Sequence, residues 1–333
     1  MDATAITDSG TSRSAASITL QDVGKTYPDG TVAVGDFSLE VRAGELTVLI
    51  GPSGCGKSTI LRMINRLIEP TRGTILLDGQ DILKRNPVEL RRHIGYVIQN
   101  VGLFPHQKIG ANIGTVPKLL GWDSARVKAR TEELLELVGL DPAKYRDRYP
   151  HELSGGQRQR VGVARALAAD PLVLLMDEPF SAVDPIARGR LQEEFLKLQA
   201  EVRKTIVMVT HDIDEAVRLG DRIAVLAEGG KLQQFAPPAE LLSRPSSAGV
   251  ASFVGADRGI RRLAVTPVRD ALQPSDGLQA GDRPTVDITG TLHDALAAML
   301  TVDSAEVIVV EDGRPVGTVS RSAIFDTPAP AEA

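Results

Sequence analysis

Residues Gly51-Pro52-Ser53-Gly54-Cys55-Gly56-Lys57-Ser58-Thr59 satisfy the pattern G-x-x-x-x-G-K-[ST]. Glycines at these positions let a loop turn so that successive backbone N–H groups face one centre. A helix starting where the loop ends adds its positive pole, and together they cradle phosphates. In such a loop Lys57 reaches the β and γ phosphates of a nucleoside triphosphate, and the Ser58 hydroxyl ligates Mg2+. Cys55, the chain's single cysteine, lies within the loop, where it reads as an incidental small residue, with a redox role as the alternative. Further along, the apolar run Leu172–Met176 ends at Asp177-Glu178. A buried strand needs no such pair for stability, so the carboxylates point to chemistry: Asp177 to hold the magnesium shell, Glu178 to polarise an attacking water. A third run, Thr205–Val209, ends at Thr210-His211-Asp212, which places His211 as a γ-phosphate sensor or proton relay.

These groups need strands that end together and helices that begin beside them. Leu46–Ile50 is a continuous apolar run of strand length ending in glycine, and Ile60–Leu67 has a helical pattern. The three short apolar runs, the later two followed by polar residues, indicate an α/β layer. Before them, Ile18–Val41 alternates apolar and polar residues around Pro28-Asp29-Gly30, which predicts antiparallel strands. Between Lys108 and Asp170 no strand is expected. Val127, Leu134, Leu135 and Val138 have helical spacing there, and Gly139 stands as a stop. Pro237–Pro245 and Ala271–Pro284 read as connections. After them come a predicted helix at Thr291–Leu300, strands at Val307–Val310 and Pro315–Val319, and a hairpin turn at Asp312-Gly313.

The chain has 333 residues, 42% hydrophobic and 24% charged, which fits a folded protein of about two domains. No apolar stretch approaches the roughly 18 residues needed to span a bilayer. One cysteine excludes an intrachain disulfide framework or a multi-cysteine metal site. From Ala256 on there are seven arginines, no lysine and twelve carboxylates, a net charge of −5 that accounts for the whole chain's. Residues 1–255 are therefore neutral overall, against a nucleic-acid partner. Residues 1–17 contain Asp2 and Asp8 and no apolar core of a secretory signal, and are expected to form a disordered leader.

Leu153-Ser154-Gly155-Gly156-Gln157, following the phosphate loop in order, resembles the signature of the ATP-binding-cassette (ABC) ATPases. A serine and two glycines opening a helix make a second phosphate-binding terminus, and in that family it meets the first only across a head-to-tail dimer. The resemblance covers Ile18 to Gly255. It implies that Tyr27 stacks on adenine and that Gln99 joins the Mg2+ site and couples it to a membrane permease. It also makes Ser181-Ala182-Val183-Asp184 the D-loop, with Asp184 its acid and Val183 where leucine is commoner. The implied fold class is α/β: an ABC-type P-loop NTPase, residues 18–255, with an antiparallel β subdomain and a helical subdomain at about 108–165.

Val97 to His106 and Phe180 to Arg188 resemble the ATPases of compatible-solute importers, the glycine betaine, choline, carnitine and proline group. Residues 256–326 are similar to a single CBS-type α+β module, followed by a flexible tail at 327–333. Such modules act in pairs: either two chains pair their single copies, or the unit is a remnant. Those that hold a ribose close with G-x-x-[ST]-x-x-D, but here Ala323 follows Gly317 and Ser320, which argues against an adenosine-type ligand. Together the resemblances imply an ATP- and Mg2+-dependent homodimer on the cytoplasmic face of the plasma membrane. Its partners would be permease subunits, contacted near Gln99 to Ile113, and indirectly an extracytoplasmic solute-binding protein. Alternatives are an importer of another small solute, such as an amino acid or polyamine, or a soluble cassette ATPase outside transport.

Overall fold

The computed structural model describes residues 15–99, 101–181, 183–275 and 283–326. The expected tail, most of the expected leader, Ala182 and half of the expected connection before Pro284 lie outside them. In chain order the elements begin with strands β1 (Ile18–Thr26), β2 (Val32–Val41) and β3 (Leu46–Ile50), helix α1 (Lys57–Ile64), and strands β4 (Arg72–Leu77) and β5 (Gln80–Asp81). Helix α2 (Pro87–Arg92), strand β6 (Ile94–Val97) and helices α3 (Ile109–Ile113), α4 (Thr115–Leu119), α5 (Ser124–Leu137), α6 (Pro142–Tyr145) and α7 (Gly155–Leu167) follow. Next come β7 (Val173–Asp177), α8 (Pro185–Val202), β8 (Thr205–Val209), α9 (Ile213–Leu219), β9 (Arg222–Ala227) and β10 (Lys231–Ala236). The chain continues through α10 (Pro238–Ser243), α11 (Ala248–Val254), α12 (Arg258–Leu263), β11 (Gln273–Pro274), β12 (Thr285–Asp287), α13 (Leu292–Thr301), β13 (Glu306–Glu311), β14 (Arg314–Ser320) and α14 (Arg321–Asp326). They form two compact units, one of the segments up to Leu46 and from Gly56 to Val209, the other of Thr47–Cys55 and the chain from Thr210 onward.

In the first unit β2, β1, β4 and β5 make an antiparallel sheet, with Ile18 opposite both Val41 and Leu77. Strands β6, β7 and β8 run parallel, and every residue of β7 and β8 is buried, which explains their near-continuous apolar sequence. Helices α3, α5 and α7 pack together. The Asp123 carboxylate caps α5, which buries Val127, Leu134 and Leu135 and stops before Gly139, whose φ is 68°. Strands β4 and β6 stand where none is expected. Only alternate positions of β4's second half are fully buried, and β6 has just four residues, including Gly95. A Cβ on Gly95 would lie 2.6 Å from the Ala166 carbonyl oxygen, so the glycine serves the close approach of α7.

In the second unit β3 runs parallel to β9, with Val48 opposite Ile223, and β10 pairs antiparallel with β9. The proline-punctuated segment after Phe235 is not a plain connection, because it contains α10. Pro238 occupies the first turn, where no N–H is needed and its fixed φ suits a helix. The C-terminal elements form a sheet of order β11-β14-β13-β12, which shares a core with α13 and α14 through Leu292, Met299, Val307, Val309, Val319 and Ile324. Asp312 and Gly313 both have positive φ, 49° and 76°, as a two-residue hairpin turn between β13 and β14 requires.

Candidate active site

The phosphate loop leaves β3 through Gly51, at φ 152°, where a Cβ would lie 2.3 Å from the Leu226 carbonyl oxygen and 3.0 Å from the Cys55 sulfur. Cys55 is buried, with its N–H donated to the Pro52 carbonyl at 3.3 Å. Gly54, at φ 79°, has nothing within 4 Å of its Cβ position, so its backbone is open to approach. Gly56, at φ 106°, precedes α1 and leaves that helix without a side-chain cap. Gly56 has no side chain to offer the first turn, which opens with the buried Lys57.

Two pairs of the expected site residues meet in the first unit. The Ser58 hydroxyl donates to Asp177 Oδ1 at 2.8 Å, and Gln99 Nε2 donates to Glu178 Oε2 at 2.8 Å. The backbone explains how adjacent acids come to serve different partners. Asp177 is the last residue of β7 and is buried, whereas Glu178 turns left-handed at φ 47°. That turn is held from both sides: the Glu178 N–H donates to the Val209 carbonyl at 2.9 Å, and its own carbonyl accepts the Ser181 hydroxyl at 2.9 Å.

Burial pushes the Asp177 carboxyl above the usual carboxylate range, with the Glu178 charge adding to it. The Ser58 hydrogen bond and the charges of Arg62 and Lys57 oppose the shift. A buried carboxylate of this kind gains from a cation. A hydroxyl and a carboxylate oxygen 2.8 Å apart are hard donors of the type Mg2+ takes, and the Gln99 amide carries a third in its carbonyl oxygen. The side chains present therefore fit the ion.

Ser154 caps α7 in a reciprocal box: its hydroxyl accepts the Gln157 N–H at 3.3 Å, and Gln157 Oε1 accepts the Ser154 N–H at 3.0 Å. Gln157 Nε2 donates to the Tyr145 hydroxyl at 3.0 Å. Ser154, Gly155, Gly156 and Gln157 line a cavity of about 770 Å³ together with Arg158, Asp184 and Arg190. Asp184 itself caps α8, accepting the Ala187 N–H at 2.9 Å. Tyr27 opens the turn between β1 and β2, half-buried, with Lys25 Nζ 5.5 Å from its ring centre. In the second unit His211 is exposed between Thr210, whose N–H donates to the Leu49 carbonyl at 3.3 Å, and Asp212, which caps α9.

Sequence reasoning passed over the residues that set the stretch following Gln99. Asn112, fully buried, accepts the Phe104 N–H at 2.7 Å and donates to the carbonyls of Phe104, Gln107 and Lys108. Arg165 donates to the carbonyls of Val101 and Gly102 at 2.5 and 2.7 Å. An asparagine inside a short helix is a sequence signal of this kind of clamp, because its side chain competes for backbone groups.

Residues 34–181 match the family model described as ABC transporter. The chain is 51% identical over 290 residues to the osmoprotectant import ATP-binding protein OsmV of Salmonella typhimurium, covering 87% of this chain and 74% of that one. It is 49% identical to the glycine betaine/carnitine/choline transport ATP-binding protein OpuCA of Bacillus subtilis, covering 88% and 75%. Among solved structures, the ATP-binding cassette MJ0796 in a dimeric post-hydrolysis state with ADP and Pi superposes with a TM-score of 0.59 at 33% identity, covering 66% of this chain and 98% of that one. With about half of its residues identical to these proteins over most of its length, the chain belongs to the ATPase subunits of ABC transporters, in the family of the betaine, choline and carnitine osmoprotectant importers.

Proposed function

We propose that this ATPase drives import of quaternary-amine compatible solutes, as a homodimer at the cytoplasmic face of the plasma membrane. It would be bound to permease subunits through the region from Gln99 to Ile113 and served by an extracytoplasmic solute-binding protein. The solute class rests on the names of relatives about half identical to the chain over most of its length. No helix among the described residues is long and apolar enough to cross a membrane; the permease is proposed from the transport systems named for the relatives. The clamped segment that follows Gln99 exposes Phe104 by 40% of its surface and offers an apolar contact to it.

The catalytic roles rest on one observation, the division of the two adjacent carboxylates between Ser58 and Gln99. Loop N–H groups and Lys57 hold the phosphate oxygens, and Tyr27 stacks on the adenine. Ser58, Asp177 and Gln99 are the proposed Mg2+ ligands; the ion, when bound, neutralises charge on the phosphates. Glu178, oriented by Gln99, aligns the attacking water and takes its proton, and His211 contacts the γ-phosphate. Ser154 to Gln157 and Asp184 complete the partner protomer's site, which suits their place around one open cavity and the dimeric state of MJ0796. Residues 256–326 form the proposed CBS-like unit, with a regulatory or dimer-stabilising role.

The test is uptake of labelled glycine betaine by a host without its own importers, expressing the chain with its permease. Glu178→Gln keeps a hydrogen-bonding partner for Gln99 and removes the base, so ATP hydrolysis should fall by about 10²–10⁴-fold while ATP still binds and closed dimer accumulates. Near-normal turnover in that variant refutes the catalytic assignment. Absent uptake with intact hydrolysis refutes the solute class alone.

A further inference from the structure

Within the second unit, one arginine ties three helices together. Arg261 lies on α12, whose Leu263 belongs to the core that Val268, Leu292 and Met299 build beneath the C-terminal sheet. Arg261 Nη1 donates to the Val254 carbonyl, the last of α11, at 2.5 Å and pairs with Asp257 at 3.0 Å. Its Nε donates to Asp214 Oδ1 at 2.6 Å and Nη2 to Oδ2 at 3.4 Å, a two-pronged grip on the first turn of α9. Between α11 and α12 stands Gly255, at φ 95°, where a Cβ would lie 3.2 Å from Arg261 Nη1. The junction is thus built around the guanidinium, whose side chain is only 21% exposed. Backbone and two carboxylates fix its geometry, unlike that of an ordinary surface ion pair.

The helix that Arg261 grips begins two residues after His211. Asp214 is the second residue of α9, and its N–H donates to Asp212 Oδ1 at 2.9 Å, as the Glu215 N–H does at 3.2 Å. The Asp212 N–H in turn donates to the Thr210 hydroxyl at 3.1 Å. His211 therefore stands in a stretch fastened on both sides. Upstream the Thr210 N–H is held by the Leu49 carbonyl of β3 at 3.3 Å; downstream the Asp212 cap leads into the turn that Arg261 holds. Acids at Asp214 and Glu215 already suit the positive end of a helix, and Asp212 caps it. The arginine is thus not needed for α9 to form; it sets where the first turn sits. Given the proposed contact of His211 with the γ-phosphate, we infer that Arg261 is a positioning residue for His211, acting through Asp214. A shift of α12 with the C-terminal sheet then alters the rate of ATP hydrolysis while the nucleotide, held by the phosphate loop, stays bound.

Steady-state ATP hydrolysis by the purified full-length chain tests this, with ATP affinity and melting temperature measured alongside. Asp214→Ala removes both oxygens that Arg261 grips, at a side chain 66% exposed, where alanine suits a helix. It should lower kcat by about 3–10-fold and change KM for ATP by less than about two-fold. Arg261→Gln should do the same; if it fails to melt cooperatively, because the Val254 carbonyl has lost its donor, Asp214→Ala decides alone. The double variant should have the kcat of the slower single variant, since both changes remove one bridge. Asp257→Asn, which weakens the other ion pair of Arg261 and spares α9, should keep kcat within about two-fold of wild type. Unchanged kcat in Asp214→Ala, an equal loss in kcat and ATP affinity, multiplying effects in the double variant, or an equal loss in Asp257→Asn would each overturn the positioning role. His211→Ala should lose more turnover than any of these; near-normal turnover there would instead overturn the reading of His211 itself.

Discussion

Gly51 and Gly54 both have positive φ in the same loop, yet alanine should affect them very differently. At Gly51 the new Cβ would stand 2.3 Å from the Leu226 carbonyl oxygen, a backbone atom of β9 that cannot swing aside, and 3.0 Å from the Cys55 sulfur. Strand and loop must separate by at least about 0.7 Å, an overpacking cost of about 1–3 kcal/mol. A φ of 152° is nearly confined to glycine and adds about 1–3 kcal/mol. At Gly54 there is nothing within 4 Å, so only the left-handed backbone counts, at about 1–2 kcal/mol. The lost freedom of the unfolded chain is the same for both and cancels in the comparison. Gly51→Ala should therefore be less stable than Gly54→Ala by about 2–3 kcal/mol. With a urea dependence of about 3 kcal/mol per molar, the unfolding midpoints by circular dichroism should differ by about 1 M. Gly54→Ala, folded almost as wild type, then isolates the loop's contribution to ATP affinity. Coincident midpoints for the two variants would refute the steric argument at Leu226.

Asp177→Asn should raise the melting temperature of the nucleotide-free chain at neutral pH while abolishing Mg2+-dependent hydrolysis. Because burial raises the folded carboxyl above its ordinary 3.8, the ionised form weakens the fold as pH climbs, and the gap between variant and wild type should close at acid pH; a lower melting temperature at neutral pH would contradict this. Ser154→Ala should lose about 1 kcal/mol of stability with the cap of α7. Ser154→Asp restores the cap but sets a negative charge where a phosphate is proposed to bind, so stability should return without ATPase activity. His93 is pushed below its ordinary 6.5 by burial, and next by the charges of Arg85 and Arg92, against an opposing effect of Glu89. It therefore contributes stability above pH 6.5 that is lost as pH falls toward its folded value, and His93→Gln should flatten the melting profile over that interval.

What was legible in the sequence was local. The phosphate loop, the apolar runs of β3, β7 and β8, the stop at Gly139 and the turn at Asp312-Gly313 each depend on a few neighbouring residues, and the structure forms them where the pattern put them. Elements whose reason lies elsewhere in the chain were not legible. Gly95 makes β6 look like a poor strand until Ala166 of α7 is set against it, and two of the prolines that made 237–245 read as a connection, Pro237 and Pro238, are those that start α10.

The site divides in the same way. Motif and strand-end position named Ser58, Asp177 and Glu178, and the family resemblance added Gln99, but which acid meets which partner depends on the left-handed turn at Glu178, and no glycine or asparagine marks that turn. A non-glycine residue in that conformation is strained and persists only where its surroundings hold it. Here the Val209 carbonyl and the Ser181 hydroxyl do so, one at the end of β8 and the other in the segment leading to α8. The carboxylate that meets Gln99 is thus aimed by two backbone contacts far apart in sequence. A change in the path of residues 181–184 must then alter the aim of Glu178 without touching its side chain. Ser181→Ala, which deletes the hydroxyl and leaves the four named residues in place, should lower turnover more than it lowers ATP affinity. An equal loss in both would mean that the Glu178 turn stands without Ser181.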